Sequence, residues 1–326
     1  MAVAEFDLIE RLRARAGTRA DVVLGIGDDA ALLAVPAGEQ LVVTADTLNA
    51  GVHFPADTAA FDIGWKALAV NLSDLAAMGA TPRWITLSLS LPASDPSWLD
   101  ALADGLFALA GAHGVALVGG DTTRGPLSLG ITAMGSLPAG AALRRDGARA
   151  GDRVWVSGVP GEAALALALW QSGQLDVAVP AVDPHHEALR QRLVRPTPRL
   201  ALGLALRGLA TAAIDISDGL TADLGHLCRR SGVGARLQLA ALPRSPALDA
   251  LAPGAPAWPL QAGGGDDYEL CFAASPAATD QVLAAAAASG VAVTCIGTLH
   301  AGSGICWEAP DGRQWQPDRG GYDHFG

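Results

Sequence analysis

The sequence predicts a mixed α/β protein in two domains, and three observations predict it. Apolar β-like runs alternate with stretches of helical apolar spacing through the first half. Around residues 138–152 the chain turns rich in Gly, Arg and Ala, as a connection would, and an α/β pattern then resumes. At 326 residues and 50% hydrophobic, the chain is long enough to bury one large or two modest cores. The expected domains are residues 1–140 and 141–326.

Taken in order, MAVAEFDLIERLRARAG carries Glu5, Asp7 and Glu10 where a signal peptide needs an apolar run, so it reads as an amphipathic helix or arm. Val22–Ile26, Leu41–Ala45, Trp84–Leu91, Val115–Val118 and Leu127–Ser136 read as strands. Phe61–Met78 and Pro96–His113 read as helices. Past the connection come a strand at Val154–Ser157, a Pro-Gly turn and an Ala-Leu helix at Glu162–Ser172. A Pro/His-rich stretch follows at residues 179–200, then another helix and a last α/β portion from Ala212. Gln281–Leu299 is uncharged, but Ser289, Gly290, Thr294 and Gly297 break it into a helix and a strand, not a membrane span.

Composition removes several function classes. The net charge is −11, so there is no global basic footprint for nucleic acid. Lys66 is the sole lysine and stands in Trp65-Lys66-Ala67, which excludes a P-loop. The H-R-D, D-F-G and V-A-I-K set of protein kinases is missing. Cys228, Cys271, Cys295 and Cys306 form no C-x-x-C pair and lie in apolar contexts, as reduced cysteines of a cytoplasmic protein would. His185 and His186 are adjacent, badly spaced for one metal on a helix, and no Cys/His set suggests zinc.

The informative pattern is where the aspartates fall. Asp28 and Asp29 follow LGIG in LGIGDDAAL, Asp46 follows LVVTA in LVVTADTL, and Asp121 follows VALVGG in VALVGGDTT. Asp215 and Asp218 lie in AAIDISDGL, Asp266 and Asp267 in AGGGDDYEL, and Asp74 in NLSDLAAMGA. The expectation is that these acids gather at strand ends, where ligands of α/β sheets bind. Carboxylates repel one another, so such a set calls for cations, and Mg²⁺ is held by carboxylates, waters and substrate phosphates. Gly25, Gly27, Gly119, Gly120 and Gly263–Gly265 allow close backbone approach to phosphate oxygens. A Mg²⁺–polyphosphate site without a P-loop follows. The plainer reading stands beside it: Ser217, Asp218 or Thr221 as a helix cap, Asp267 as a turn residue, His53 as packing, Arg144-Arg145 as a solvated pair, Tyr322 as a docked tail aromatic.

In order, the blocks GIGDDAALL, TADTLNAGVHF, KALAVNLSDLAAMGATP, GGDTTRGPLSLG, RPTPR, AIDISDGLTADLGHL, GGDDYELCF and GYDHF closely resemble the thiamine-monophosphate kinases. That family shares its ATP-binding superfamily with aminoimidazole ribonucleotide synthetase. The resemblance implies the two-domain fold of that superfamily, with an N-terminal domain that binds ATP and Mg²⁺ and pairs its sheet with that of a second copy into a barrel. It implies ATP-dependent phosphorylation of thiamine monophosphate to thiamine diphosphate with several Mg²⁺ ions, in a cytoplasmic homodimer. Asp29, Thr44, Ala45, Asp46, Asp74, Asp121, Asp215 and Asp218 would be metal ligands. Gly120, Asp121, Arg145 and Ser217 would contact ATP, and His53, Asp266 and Tyr322 the thiamine phosphate.

Two positions depart from the family pattern. Ala45 stands where a hydroxyl residue is common, leaving only its carbonyl for a metal; Asp266 stands where Glu is usual. No general base is expected, because a phosphate monoester ionises a second time near pH ~6 and is already anionic at neutral pH. A sister ATP-dependent synthase would share GDDA and NLSDLAAMGA but lack VHF and GYDHF. A non-catalytic nucleotide-binding regulator would have little use for so many acids.

Overall fold

The computed structural model describes residues 5–17, 19–318 and 320–322. The chain divides into two compact units. The first takes in Met1–Leu75, Ala80–Gly140 and Val177–Val179, and the second Ala76–Gly79, Ala141–Asp176 and Pro180–Gly326.

In the first unit the order is α1 (Glu5–Arg15), β1 (Val22–Leu24), β2 (Leu32–Leu33), β3 (Glu39–Asn49), α2 (Ala60–Ala77), β4 (Thr81–Leu91), α3 (Pro96–His113), β5 (Ala116–Arg124) and β6 (Ser128–Pro138). The main sheet runs β3-β6-β4-β5. Its pairs are antiparallel except β4 with β5, which α3 joins as a crossover. The α3 boundaries follow from local chemistry. Asp95 accepts the N–H groups of Ser97 and Trp98, Pro96 opens the first turn, and Gly114 closes it at φ 64°. α2 and α3 touch through glycine: a Cβ on Gly64 would lie 2.0 Å from the Leu102 oxygen, and one on Gly105 1.8 Å from the Phe61 oxygen.

One face of the sheet is buried, with Leu87 and Leu89 of β4 and Leu129, Ile131 and Ala133 of β6. On the other face Trp84, Ala116 and Val118 gather with Val22, Ala31, Leu33 and Met134, while Leu41 and Val43 of β3 stay 48% and 55% exposed.

Two expectations need correction here. The strands carrying Asp46 and Asp121 do not end at those acids. β3 pairs with β6 in unbroken register from Glu39↔Pro138 to Asn49↔Ser128. β5 follows β4 as far as Leu91↔Arg124. A polar residue on a half-exposed face interrupts an apolar run without interrupting the ladder, so composition misplaces the strand end.

The second unit comprises β7 (Arg153–Ser157), α4 (Glu162–Gln171), α5 (Pro184–Val194), α6 (Leu200–Ala205), β8 (Ala210–Ile216), α7 (Leu220–Ser231), β9 (Val233–Gln238), α8 (Pro246–Leu251), α9 (Ala257–Gly263), β10 (Glu269–Ala274), α10 (Thr279–Ala288), β11 (Val293–Ala301), β12 (Ile305–Glu308) and β13 (Gln314–Trp315). Its seven-stranded sheet runs β13-β12-β9-β11-β7-β10-β8. Only β12 with β9 is parallel. Val154, Val156, Ile214, Ile216, Cys271 and Ile296 from the sheet and Leu220, Leu224 and Leu227 from α7 form one core. The Pro/His-rich stretch holds a helix, α5. Asp183 caps it by accepting from His185 and His186 N–H, with Pro184 in its first turn.

Candidate functional site

In the first unit β3 and α2 are bonded to each other at several of the expected ligand positions. The Thr44 hydroxyl donates a short hydrogen bond to Asp74 Oδ2. The Asp46 N–H donates to Asn71 Oδ1 (3.1 Å), whose own Nδ2 donates to the Ala67 carbonyl. α2 is thereby tied to β3 at the positions of the expected ligands. His53 accepts the Asn49 N–H at Nδ1 (3.0 Å), which puts the proton of a neutral ring on Nε2. Asp29 is exposed in the turn after β1, its N–H bound to Asp28 Oδ1 (2.9 Å).

Register separates Asp121 from this group. Asp121 pairs with Ser88, Ser88 with Gly130 and Gly130 with Thr47, so Asp121 is in phase with Thr47 and out of phase with Asp46. Gly120 (φ 155°) is obligatory, because a Cβ there would lie 1.9 Å from the Leu87 oxygen. Among the described residues no three His, Cys, Asp or Glu side chains gather as a ready cage for a metal.

In the second unit three loops lock together. Asp215 is the penultimate residue of β8, buried, one residue before Ile216. The following turn, Ser217-Asp218-Gly219, aims three N–H groups at one acceptor, Asp223 Oδ2, at 3.0, 3.1 and 3.1 Å. None of Ser217, Asp218 or Thr221 caps α7, so the plainer reading of these three as helix caps does not hold. Gly219 stands at the cap without a side chain, and Asp223 reaches back from the first turn instead. Burial, with the Asp218 charge adding to it, pushes Asp223 up to about 6 against the pull of those amides.

The second loop holds Asp266-Asp267-Tyr268. Asp266 N–H bonds to the Ser217 carbonyl and Tyr268 N–H to the Ile216 carbonyl, each at 2.8 Å. Asp266 (φ 71°) and Tyr268 (φ 51°) are left-handed, the two non-glycine residues so placed among those described. Such a backbone costs on the order of 1–3 kcal/mol per residue, so the surroundings must enforce it. Between them Asp267 points inward: it is buried, and its Oδ2 accepts the Gly161 N–H at the start of α4 (2.8 Å). Burial raises its carboxyl well above the ordinary range. The third loop is the tail, where Tyr322 N–H donates to the Asp218 carbonyl (2.9 Å). The rest of GYDHF, Asp323 to Phe325, lies outside the described residues.

Beneath these loops Glu269 is fully buried. It accepts from Ser157 Oγ (2.5 Å), Arg192 Nη2 (2.5 Å) and Arg199 Nε (2.6 Å). Burial alone would raise its carboxyl, but the Arg199 hydrogen bond and the charges of both arginines hold it below the ordinary range. Arg199 closes the RPTPR block, so two blocks of the sequence meet in one ion network. Arg144 pairs with Asp146, while Arg145 is exposed, its carbonyl accepting from Ser231 Oγ (2.7 Å). His226 is held below its ordinary value by burial and by the charges of Arg229 and Arg145.

Sequence reasoning missed Asp223, Glu269, Arg192 and Arg199, and it named Asp267 without its inward role. For Asp223 the available signal was an acid in the first turn of an otherwise uncapped helix. For the others no local signal exists, since their partners lie far away in the chain.

Residues 27–137 match the family model described as "AIR synthase related protein, N-terminal domain", and residues 149–306 its C-terminal counterpart. With mixed sheets in two units, these matches define an AIR synthase related protein of two domains. The thiamine-monophosphate kinase of Salmonella typhimurium is 48% identical over 100% of this chain and 99% of its own. A crystal structure of the thiamine-monophosphate kinase from Stenotrophomonas maltophilia aligns with a TM-score of 0.90 at 56% identity, over 97% of this chain and 99% of that one. AaThiL, solved complexed with AMPPCP and TMP, aligns with a TM-score of 0.77 at 30% identity over 99% of both chains. The chain belongs to the thiamine-monophosphate kinase family.

Proposed function

We propose that this chain transfers the terminal phosphoryl group of ATP to thiamine monophosphate, yielding ADP and thiamine diphosphate by direct in-line displacement. One observation carries the reading. The loop with the expected ATP contact Ser217 is bonded through its backbone to the loop with Asp266 and, one residue on, to Tyr322. Residues expected at the donor and at the acceptor are therefore neighbours in the second unit, as direct transfer requires. Full-length relatives at 47–48% identity carry the kinase name, which favours this reading over a sister synthase.

An oxygen of the acceptor phosphate attacks the γ-phosphorus as the bond to the ADP oxygen breaks. That oxygen is already anionic, so no side chain need remove a proton. Asp29, Thr44, Asp46, Asp74 and Asp121 in the first unit, with Ala45 through its carbonyl, and Asp215 and Asp218 in the second are the proposed metal ligands. Their donors are all hard oxygens, which suits Mg²⁺. Bound Mg²⁺ would neutralise the phosphate charge that these acids would otherwise repel. Gly120, Asp121, Arg145 and Ser217 are the proposed ATP contacts, and His53, Asp266 and Tyr322 the thiamine phosphate contacts.

The proposal includes a homodimer. β3 is an eleven-residue edge strand, and Leu41 and Val43 on its outer face invite a second copy. It also includes a cytoplasmic setting, in keeping with free, buried Cys228 and Cys271; among the described residues no helix is long and apolar enough to cross a membrane. A ³¹P NMR time course with ATP, Mg²⁺ and thiamine monophosphate tests the reaction. Thiamine diphosphate with equimolar ADP supports it; ADP with free phosphate, or no ATP consumption, refutes it.

A further inference from the structure

We infer that Tyr268 is a positioning residue of the acceptor site, its hydroxyl holding the Asp266 carboxylate in the orientation that meets thiamine monophosphate. The inference rests on the reading of Asp266 as an acceptor contact. Tyr268 Oη donates to Asp266 Oδ1 at 3.0 Å, across a single intervening residue. In an extended strand, residues two apart share a face but their side chains run parallel. Here both residues are left-handed, and that departure accompanies a phenol and a carboxylate in contact.

The backbone is held in this form from three sides. Asp267 is drawn inward to the Gly161 N–H, and the two flanking amides are tied to the Ile216 and Ser217 carbonyls. Just before the loop Gly265 passes so close to the Ser217 strand end that a Cβ there would stand 2.5 Å from the Ser217 oxygen. A Tyr at positive φ is disfavoured, so its surroundings must hold it there. In that conformation its hydroxyl reaches Asp266. The need is clear in this chain, where the acid is Asp and its arm is one methylene shorter than Glu. A short carboxylate has few ways to reach a ligand, so its orientation matters more.

The test is steady-state kinetics on the full-length protein with Tyr268→Phe, Asp266→Asn and the double variant, varying ATP and thiamine monophosphate separately. A lost hydrogen bond to a carboxylate predicts that Tyr268→Phe raises KM for thiamine monophosphate about tenfold, with KM for ATP changed less than about twofold. In the double variant the phenol no longer matters, so its KM should match that of Asp266→Asn within about twofold. Titration with thiamine monophosphate alone, followed by tryptophan fluorescence, should show the same loss in Kd. An unchanged acceptor KM in Tyr268→Phe overturns the inference. So do a parallel rise in both KM values with a lowered Tm, which marks a merely structural role, and multiplicative effects in the double variant. If Asp266→Asn itself leaves the acceptor KM unchanged, the reading of Asp266 fails and the inference falls with it. A silent Tyr268→Phe beside an impaired Asp266→Asn removes the inference alone.

Discussion

Replacing Glu269 with alanine would strand two guanidinium groups beneath the loops of the second unit. Glu269 is fully buried and accepts from Ser157, Arg192 and Arg199 at 2.5–2.6 Å, with a second, shorter bond from Arg199 Nη2. Arg192 keeps a looser ion pair with Glu162 at 3.3 Å and a long hydrogen bond to the Asp267 carbonyl at 3.4 Å. Breaking a buried pair from one side costs about 3–5 kcal/mol, because the abandoned charge stays buried. For a unit of this size that lowers Tm by roughly 10 °C or more. Glu269→Gln keeps the shape and one neutral acceptor, so it should lose about half as much. Urea unfolding followed by tryptophan fluorescence is the assay: Trp155 stacks on Phe272 of β10 at 6.3 Å and reports on the same sheet. The sign of the pH dependence is fixed. A carboxyl held below its ordinary 4.5 contributes stability above that pH and loses it as pH falls through the folded value. The gap between wild type and Glu269→Gln should therefore be constant from pH 6 to 8 and shrink on acidification below about 4. A loss under about 1 kcal/mol for the alanine variant, or a gap indifferent to pH, would refute the network's role.

Four further outcomes are expected. Gly105→Ala sets a methyl 1.8 Å from the Phe61 oxygen and should cost at least about 2 kcal/mol in urea unfolding, whereas Gly111→Ala on the same helix, with open space around it, should be neutral or stabilising. Asp74→Asn should leave the circular dichroism spectrum intact and cut turnover at limiting Mg²⁺ by about a hundredfold or more; near-normal activity would remove Asp74 from the metal set. Asp223, raised from 3.8 to about 6, binds its proton more tightly folded than unfolded, so its ionisation costs stability as pH rises between those values. In chelated, nucleotide-free buffer Asp223→Asn should gain on wild type by up to about 3 kcal/mol between pH 4 and 7, and a flat difference would contradict the burial argument. Val43→Arg should shift the protein toward monomer in sedimentation velocity; an unchanged sedimentation coefficient would exclude the outer face of β3 as the contact.

Local chemistry made the secondary structure legible where both ends of an element carry their own signals. α3 falls on Pro96–His113 as read, because Asp95, Pro96 and Gly114 state both boundaries. α5 carried the same Asp-Pro start at Asp183-Pro184 but was hidden by a stretch that reads as Pro- and His-rich. Asp46 and Asp121 were legible as notable acids, not as mid-strand residues, since a ladder's continuity is a property of its partner strand. The RPTPR and YEL blocks were visible as strings, while the bond between Arg199 and Glu269 spans 70 residues and leaves no trace in either string.

The short run Asp266-Asp267-Tyr268-Glu269 joins the buried network to the proposed acceptor site. Asp267 and Glu269 point inward and are buried in the Gly161 and arginine contacts, while Asp266 and Tyr268 are half-buried and bound to each other. Alternation thus puts the anchoring groups and the proposed substrate groups on successive residues of one strand entrance. The left-handed residues 266 and 268 flank Asp267, and Tyr268 stands between the two inward acids, so the inward pair anchors the loop beside them. Weakening Glu269 should then be felt at Asp266, even though the two carboxylates share no bond. A Glu269→Gln variant that remains folded should therefore show a raised KM for thiamine monophosphate, the same parameter that Tyr268→Phe moves. If it loses stability yet keeps wild-type kinetics for both substrates, the buried network is a fold element alone and the loop above it holds its shape without help.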